Sequence, residues 1–344
     1  MAELLKINDL HVAFPTDDGL VRAVDGVSVT LNEGETVAIV GESGSGKTVT
    51  GLSVMGLHKK GAAQLSGSIL LKDGDHDLDI VTASDEEIRM VRGRAVAMIF
   101  QDPMSSLHPY YRIGNQLAEG YLVHNPGKKK EAIKRAVEML DLVGIAEPNQ
   151  RANEYPHQFS GGMRQRVMIA MALMNSPRVL IADEPTTALD VTVQAQILIL
   201  LASLQKEFNM GILLITHDLG VVAQVADKVS VMYGGRIVEQ GTADDVFYKP
   251  SAPYTLGLLK SVPRISLHGS ERLKAIPGQP PSLINLPIGC AFAPRCEFKS
   301  HATGDICATD RPDLLGNSRE HLSRCHVPEA TRDKLFIDEL KEVR

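Results

Sequence analysis

The chain has 344 residues, more than a typical single domain, which predicts one large domain with an extension. Apolar residues make up 44% and charged residues 23%, as in ordinary globular proteins. The net charge of −6 disfavours a nucleic-acid binder, and no apolar run is long enough for a transmembrane helix. The N-terminus lacks a signal-peptide pattern, so we expect a cytosolic chain that acts on a membrane only through partner subunits.

Two alternating stretches before residue 35 predict edge strands, with a turn at residues 16–19 between them. Phe14 lies between these stretches. Two interpretations of this aromatic ring stay open. It is either a buried core residue or a platform on which a purine base stacks.

Residues 41–48, with the sequence GESGSGKT, fit the pattern G-x-x-x-x-G-K-[ST]. The apolar run at 36–40 predicts a buried strand before them, and residues 49–55 predict a helix after them. The glycines would let backbone N–H groups surround a polyphosphate at the helix N-terminus. Lys47 would then reach the β- and γ-phosphates, and Thr48 would ligate Mg²⁺. A chance glycine-serine loop is the alternative, which the flanking strand and helix disfavour. We call residues 41–48 the phosphate loop.

Further strands are predicted at 67–71 and 95–100, and the second is followed by Gln101. A glutamine at a strand end beside the phosphate loop could bind Mg²⁺ and the attacking water, although a lone glutamine would be read as a surface residue. Residues from about 104 to 160 show helical periodicity and no strong strand, which predicts a helical insertion within the α/β core.

A second anion-binding turn is predicted at residues 160–163, which we call the signature turn. Ser160 is a good N-cap, and Gly161 and Gly162 leave backbone N–H groups exposed before a helix predicted at 167–174. Two explanations are open. Either the insertion folds back over the phosphate loop, or each anion site serves a nucleotide held by another subunit.

The apolar strand predicted at 179–183 ends in two adjacent carboxylates, Asp183 and Glu184. Because side chains alternate along a strand, the two acids cannot play the same part. Asp183 suits the Mg²⁺ shell and Glu184 suits a general base, whereas a pair of surface acids is the alternative. The stretch Thr187-Ala188-Leu189-Asp190 is predicted to open a helix that ends at Gly211. The next strand, 211–216, leads to His217, which could contact a γ-phosphate or orient Glu184.

This ordered set resembles the nucleotide-binding subunit of ABC transporters over roughly residues 1–260. The resemblance identifies a Walker A loop at 41–48, a Q-loop glutamine at 101, a Walker B strand at 179–183, a D-loop aspartate at 190 and a switch histidine at 217. It implies catalytic roles for Glu184, His217 and Gln101, and Mg²⁺ ligation by Thr48, Gln101 and Asp183. The nucleotide-binding residues that it implies are Phe14, Gly41, Ser43, Gly44, Ser45, Gly46, Lys47, Thr48, Gln101, Asp183, Ser160, Gly161, Gly162 and Asp190.

By the same resemblance, two such domains stack head to tail, with each ATP between the phosphate loop of one and the signature turn of the other. The usual sequence of this turn in the family is Leu-Ser-Gly-Gly-Gln. In this chain Phe159 stands in place of the leucine and Met163 in place of the glutamine. The backbone donors survive that change, whereas a side-chain contact from a glutamine at position 163 is lost.

The tail, residues 261–344, contains a Pro/Gly-rich segment and then all four cysteines, Cys290, Cys296, Cys307 and Cys325. Their spacing, C-x5-C-x10-C-x17-C, is loose for zinc, and four thiolates also suit a 4Fe–4S cluster. In a cytosolic chain such cysteines are metal ligands or free thiols rather than disulfides.

The tail also resembles the C-terminal extension of oligopeptide/dipeptide importer ATPases. The matching residues are Pro253-Tyr254-Thr255, Pro277-Gly278, Gly289-Cys290-Ala291-Phe292 and Pro294-Arg295-Cys296. Members of the dipeptide group with four such cysteines carry a 4Fe–4S cluster, and the resemblance implies one here, with Zn²⁺ or free thiols as alternatives.

Together these features predict an α/β P-loop ATPase core with an antiparallel β subdomain, a helical subdomain at about 104–164 within residues 1–260, and a small irregular tail at 261–344. The predicted function is ATP-driven uptake of dipeptides or oligopeptides, at the cytoplasmic face of the inner membrane. The resemblance implies a related ATPase as dimer partner rather than a second copy, two permease subunits and an extracytoplasmic solute-binding protein. The alternatives are an importer of nickel chelates, haem or oligosaccharides, or a soluble non-transport ABC ATPase; the single phosphate loop and the absence of sustained heptads disfavour the latter.

Overall fold

The computed structural model describes residues 2–59, 61–74, 76–102, 106–187, 189–261, 275–316 and 321–341. Its strands are β1 Glu3–Thr16, β2 Gly19–Asn32, β3 Thr36–Val40, β4 Gln64–Asp73, β5 His76–Asp79, β6 Val96–Ile99, β7 Val179–Asp183, β8 Gly211–Thr216, β9 Lys228–Tyr233, β10 Arg236–Thr242, β11 Leu315–Gly316 and β12 Leu322–Ser323. Its α-helices are α1 Lys47–Val54, α2 Asp85–Val91, α3 Ile113–His124, α4 Lys129–Leu142, α5 Pro148–Arg151, α6 Gly161–Ala172, α7 Val191–Phe208, α8 Leu219–Val225, α9 Ala243–Tyr248, α10 Pro253–Lys260, α11 Ile306–Thr309 and α12 Glu329–Lys341.

The larger sheet has the strand order β11-β12-β10-β9-β3-β8-β7-β6. From β9 through β3, β8 and β7 to β6, each strand is parallel to the next, so the carboxyl ends of these five strands meet at one edge. Ligands of open α/β sheets bind outside the carboxyl ends of the strands. The phosphate loop after β3, Gln101 after β6, Glu184 after β7 and His217 after β8 therefore approach the same edge.

A second sheet, in the order β2-β1-β4-β5, is antiparallel throughout. The long β1–β2 hairpin turns at residues 17–18, as the alternating pattern before residue 35 predicts.

The two faces of the larger sheet pack into separate hydrophobic clusters. In β3, Ala38 and Val40 belong to one cluster, and Val37 and Ile39 belong to the other, because side chains alternate across a strand. The first cluster joins the sheet to the helices of residues 113–172, and the second joins it to β1, β2 and β4. The strand β3, which leads into the phosphate loop, is thus buried on both faces.

The insertion between β6 and β7 is helical in its described residues, as its periodicity predicts. Helices α3, α4 and α6 pack around apolar side chains that include Ile113, Leu117 and Leu140. Residues 104 and 105, the predicted start of this insertion, lie outside the described residues.

The tail is attached to the core by strand pairing and by buried polar contacts. Strand β12 pairs with β10, where Glu239 is fully buried. This carboxylate accepts hydrogen bonds from the backbone N–H of Ser251 (2.6 Å) and Ala252 (2.7 Å), at the start of α10. It also lies 2.8 Å from His321 Nε2 of the tail, and this hydrogen bond is the main cause that raises the pKa of His321.

The bounds predicted for the helices after Asp190 and after the signature turn were wrong. The helix after Asp190 does not end at Gly211, because Asn209 takes the left-handed conformation (φ 51°) that terminates it, and Gly211 begins β8. The helix predicted at 167–174 begins at Gly161, directly after its Ser160 N-cap, and ends at Ala172. Within the described ranges, no helix combines the length and apolar character needed to cross a membrane.

Candidate nucleotide site

The phosphate loop has a backbone that depends on its glycines. Gly41, Gly44 and Gly46 have φ values of 153°, 77° and 104°, which L-residues rarely adopt. A Cβ atom on Gly41 would lie 2.1 Å from Met232 O, and one on Gly46 would lie 2.2 Å from Ala23 O. The loop therefore lies directly against neighbouring backbone, which leaves no room for side chains at these two positions.

Two polar groups of the loop have contacts suited to an anionic ligand. Lys47 Nζ donates to Gly41 O (2.8 Å) and Glu42 O (3.0 Å), so its ammonium lies within the loop. Burial lowers the pKa of Lys47, and the nearby carboxylate of Glu184 opposes this effect. Ser45 Oγ is buried and has no hydrogen-bond partner, which is uncommon for a buried hydroxyl. An unpaired hydroxyl and an ammonium beside left-handed glycines fit the oxygens of a phosphate chain.

Thr48 and Asp183 lie together across the edge of the sheet. Thr48 Oγ1 donates to Asp183 Oδ1 at 3.2 Å, which joins the start of α1 to the end of β7. Burial raises the pKa of Asp183 to about 6, against the opposing effect of the Thr48 hydrogen bond. Asp183 is 2% exposed. A buried carboxylate beside a hydroxyl suits a hard cation such as Mg²⁺.

Glu184 is surrounded by three polar side chains from different parts of the chain. Gln101 Nε2 and Thr187 Oγ1 donate to Oε2 at 2.8 and 2.9 Å. His217 Nδ1 lies 2.9 Å from Oε1. Burial raises the pKa of Glu184, but the hydrogen bonds from His217 and Thr187 and the charge of Lys47 together hold it below its usual value. The carboxylate is therefore ionised and oriented at neutral pH.

The backbone of Glu184 is also unusual. Its φ is 46°, and its N–H donates to Ile215 O of β8 at 2.7 Å. A non-glycine residue in the left-handed region costs about 1–3 kcal/mol and is held only where the surroundings require it. Asp183 is the last residue of β7, so the change of backbone conformation falls at Glu184, directly after the strand.

The signature turn lies at the start of α6. Ser160 Oγ accepts a hydrogen bond from Met163 N at 3.3 Å, as an N-cap should. Ser160 and Gly161 are exposed, and a Cβ atom on Gly162 would lie 2.8 Å from Val193 Cγ1 of α7. Asp190 caps α7 through the N–H groups of Thr192 and Val193. Gly162 of this turn therefore lies directly against α7.

Phe14 is half-buried and packs edge-to-face on His58, with ring centroids 5.5 Å apart. It also borders the second hydrophobic cluster. These contacts agree with a packing role at least as well as with base stacking, so the stacking role stays a prediction.

The four cysteines are free thiols and line one cavity, together with Tyr233, Tyr254 and Phe292. Burial raises the pKa of all four thiols, that of Cys296 to about 12. Among the described residues, no group of three or more His, Cys, Asp or Glu side chains is placed to hold a metal ion. The described geometry brings the thiols to one place and does not by itself form a cluster site.

Sequence reasoning missed two features of this site. Thr187, which donates to Glu184 from three residues further along the chain, is predicted from the sequence only as part of the start of the next helix. Glu42 of the phosphate loop binds Arg295 of the tail, a contact between residues 253 positions apart. Glu42 occupies a position that the loop pattern leaves free, so no local pattern marks it.

Two family models match the chain. One described as ABC transporter matches residues 24–187, and one described as Oligopeptide/dipeptide transporter, C-terminal region, matches residues 238–302. The dipeptide transport ATP-binding protein DppD of Bacillus subtilis is 54% identical over 94% of this chain and 95% of its own length. The oligopeptide transport ATP-binding protein OppD of Salmonella typhimurium is 51% identical over 94% of each. A solved dimer of the ATP-binding cassette MJ0796, in a post-hydrolysis state with ADP and Pi, covers 70% of this chain and 99% of its own, with 27% identity and a TM-score of 0.61.

Proposed function

The chain belongs to the ATP-binding subunits of oligopeptide/dipeptide ABC transporters, and we propose that it powers peptide uptake with an ATP site completed by a second ATPase subunit. It is an ATPase whose hydrolysis is coupled to transport, and its partners include membrane permeases. The observation that carries the proposed mechanism is the ionised Glu184 held by Gln101, Thr187 and His217 at the edge where the phosphate loop lies. The related proteins act in dipeptide and oligopeptide transport by their printed names.

The phosphate loop would hold the β- and γ-phosphates of ATP. Its backbone N–H groups and Ser45 Oγ are the donors, and Lys47 would move from the carbonyls of Gly41 and Glu42 to a phosphate oxygen. Thr48 and Asp183 would hold Mg²⁺, with Gln101 as a further ligand. The metal supplies charge neutralisation on the transferred phosphoryl group.

Glu184 would accept the proton of the attacking water. Its lowered pKa keeps it ionised, and its contacts with Gln101 and His217 restrict the directions that the carboxylate can take. His217 is 59% exposed in its side chain, so it can also reach a phosphate while bonded to Glu184. Positioning of this kind is the main source of rate in phosphoryl transfer.

The signature turn supports a site shared between two subunits. Its Ser160 and Gly161 are exposed, and Gly162 lies directly against Val193 of α7. An exposed N-cap with free backbone donors suits a phosphate presented by another chain. The related cassette MJ0796 was solved as a dimer. In this chain we infer that Asp190, at the start of α7, lies near the same shared surface.

A groove beside the helical insertion supports permease docking at the cytoplasmic face of the membrane. Its cavity of about 630 Å³ is lined by Met98, Met168 and Met171 and by exposed Phe100 and Val123. Flexible methionines and exposed apolar side chains are typical of surfaces that receive a partner helix. A permease segment is the occupant that fits a subunit of a membrane transporter.

The function is tested by purifying the chain with its permeases and its second ATPase subunit, in lipid, together with the solute-binding protein. We expect ATP hydrolysis to rise when that protein carries a dipeptide or oligopeptide, because its docking favours the closed ATPase dimer. If a nickel chelate, haem or an oligosaccharide stimulates hydrolysis and peptide does not, the transported substrate is that compound and not a peptide. A chain that assembles with no permease would contradict the transport function.

We propose a 4Fe–4S cluster as a second cofactor, because the four thiols of the tail line one cavity and have the right ligand chemistry. In the described residues they are not placed as a ligand set, so cluster binding would have to bring their sulfur atoms together. Anaerobically purified protein should then be brown and contain iron and acid-labile sulfide. Cys296→Ser should remove most of the iron, whereas the non-cysteine change Ser282→Ala in the tail should keep it. Protein that contains zinc and no sulfide would indicate a zinc site in place of the cluster. Protein that contains neither iron nor zinc would refute metal binding by these thiols.

A further inference from the structure

A buried arginine of the tail reaches the phosphate loop. Arg295 lies in the short 3-10 turn Ala293–Arg295 and is 8% exposed. Its Nη1 and Nη2 donate to Glu42 Oε2 (2.6 Å) and Oε1 (2.9 Å). This is the bidentate arrangement in which a guanidinium and a carboxylate bind most strongly.

The remaining donors of this guanidinium are also used. Nε donates to Pro277 O (2.8 Å), Nη1 to Tyr233 Oη (3.3 Å) and Nη2 to Ile276 O (3.3 Å). An arginine side chain has five N–H donors, and here every one has an acceptor. Arg295 is therefore fixed in the tail and in the core at once, so it presents a rigid fork to Glu42.

Glu42 in turn lies where the loop holds its lysine. Its N–H donates to Tyr254 Oη (2.9 Å), and its C=O accepts from Lys47 Nζ (3.0 Å) and from Ser45 N (3.3 Å). Holding the Glu42 side chain thus holds the backbone on which Lys47 rests. Two contacts therefore connect the tail to Lys47, the predicted phosphate-binding lysine: Arg295 binds the Glu42 side chain, and Lys47 binds the Glu42 carbonyl.

The charge of Arg295 matters as much as its geometry. The Glu42 side chain is 27% exposed, so its carboxylate is only partly screened by water. Without Arg295 this negative charge would stand unpaired in a loop that has to receive a triphosphate. Arg295 is buried and Glu42 is half-buried, so removing Arg295 alone leaves a poorly solvated charge uncompensated, which is more costly than removing both charges.

We propose that Arg295 is a positioning residue for ATP, through which the tail neutralises Glu42 and holds the phosphate loop in its binding conformation. The inference rests on the proposed nucleotide site and adds a role for the tail in that site. It assigns no contact between Arg295 and the nucleotide, since Arg295 acts through Glu42.

The test compares nucleotide affinity in single and double variants of the full chain. Arg295→Gln should weaken binding of ATP with Mg²⁺ by about 10- to 100-fold, the range for one lost charge-assisted contact. It should raise KM for ATP and leave kcat at saturating ATP close to that of the native chain. Glu42→Gln combined with Arg295→Gln should recover much of the lost affinity, because the unpaired charge is gone. Arg295→Lys should be intermediate, because it keeps the charge and loses the fork.

Arg311 provides the matched control. It is a tail arginine that also crosses to the core, where Nη1 lies 3.2 Å from Asp25 Oδ2, and among the described residues its hydrogen bonds go to Asp25 and Pro287 O rather than to the phosphate loop. Arg311→Gln should bind ATP like the native chain. Equal weakening in Arg311→Gln and Arg295→Gln, or a double variant as weak as Arg295→Gln, would reduce Arg295 to a general stabiliser of the tail and overturn the proposal.

Two further measurements separate the possible failures. If Arg295→Gln does not fold, as judged by circular dichroism and thermal unfolding, Arg295→Lys and the double variant carry the test. Native protein that binds no ATP would refute the proposed nucleotide site itself. Native protein that binds ATP alongside an Arg295→Gln variant of equal affinity would refute only the role of the tail.

Discussion

Glu184→Gln will reduce ATP turnover by roughly 10²- to 10⁴-fold, the usual contribution of a general base. The amide keeps the shape of the carboxylate and its place near Gln101 and His217, but it cannot accept a proton from water. Binding of ATP should persist, since the phosphate loop is unchanged. We therefore expect the variant to accumulate with bound ATP as a closed dimer of ATPase subunits.

Phosphate release and size-exclusion chromatography with ATP and Mg²⁺ measure the two effects of Glu184→Gln. Glu207→Gln is the control, because Glu207 is an exposed acid of α7 outside the site. Normal turnover by Glu184→Gln would refute the assignment of the base. Lost turnover without a trapped dimer would refute the shared site and leave the base assignment intact.

Gly46→Ala will abolish high-affinity nucleotide binding. The new Cβ atom would lie 2.2 Å from Ala23 O and 2.7 Å from Met232 Cε, and the residue would have to keep a φ of 104°. Backbone strain costs about 1–3 kcal/mol, and the clash with a backbone carbonyl adds to it. Since 1.4 kcal/mol is tenfold in affinity, we expect ATP binding to fall by roughly 100-fold or more.

Gly44→Ala is the comparison for stability. Gly44 also has a positive φ, 77°, but its Cβ atom would meet nothing within 4 Å. Gly44→Ala should lower the free energy of unfolding only by the strain of the left-handed backbone, about 1–2 kcal/mol. Thermal unfolding without nucleotide should therefore show a larger loss of stability in Gly46→Ala than in Gly44→Ala. Equal unfolding temperatures, or native ATP affinity in Gly46→Ala, would contradict the packing argument.

Much of the fold and the site follows from local pattern. Two examples depend on residues that lie close together in sequence. One is the buried strand, glycine turn and helix around residue 41, and the other is the strand that leads to Asp183 and Glu184. Parallel pairing then brings strand ends to a common edge, so the meeting of Gln101, Glu184 and His217 could be predicted without coordinates. The α/β core and the family were confirmed by the structure and the comparisons.

Helix ends were less predictable, because the residue that stops a helix is selected by its backbone conformation. Gly211 is a reasonable terminator by composition, yet Asn209 reaches the left-handed region first. The spacing of the cysteines along the chain also does not predict how far apart their thiols lie in the folded protein. They share a cavity, but in the described residues the packing of the tail does not place them as a metal-ligand set.

By itself, the sequence determined the chemistry: a phosphate loop, a Mg²⁺-suited threonine and aspartate, and an acid beside them, all in a fixed order along the chain. Only the tertiary structure showed that Arg295 forms a bidentate ion pair with Glu42 and that Thr187 donates a hydrogen bond to Glu184. The physical reason is that periodicity and turn propensity report forces between near neighbours. A side-chain pair 253 residues apart depends on the path of the whole chain, which is settled only when the sheet and the tail pack together.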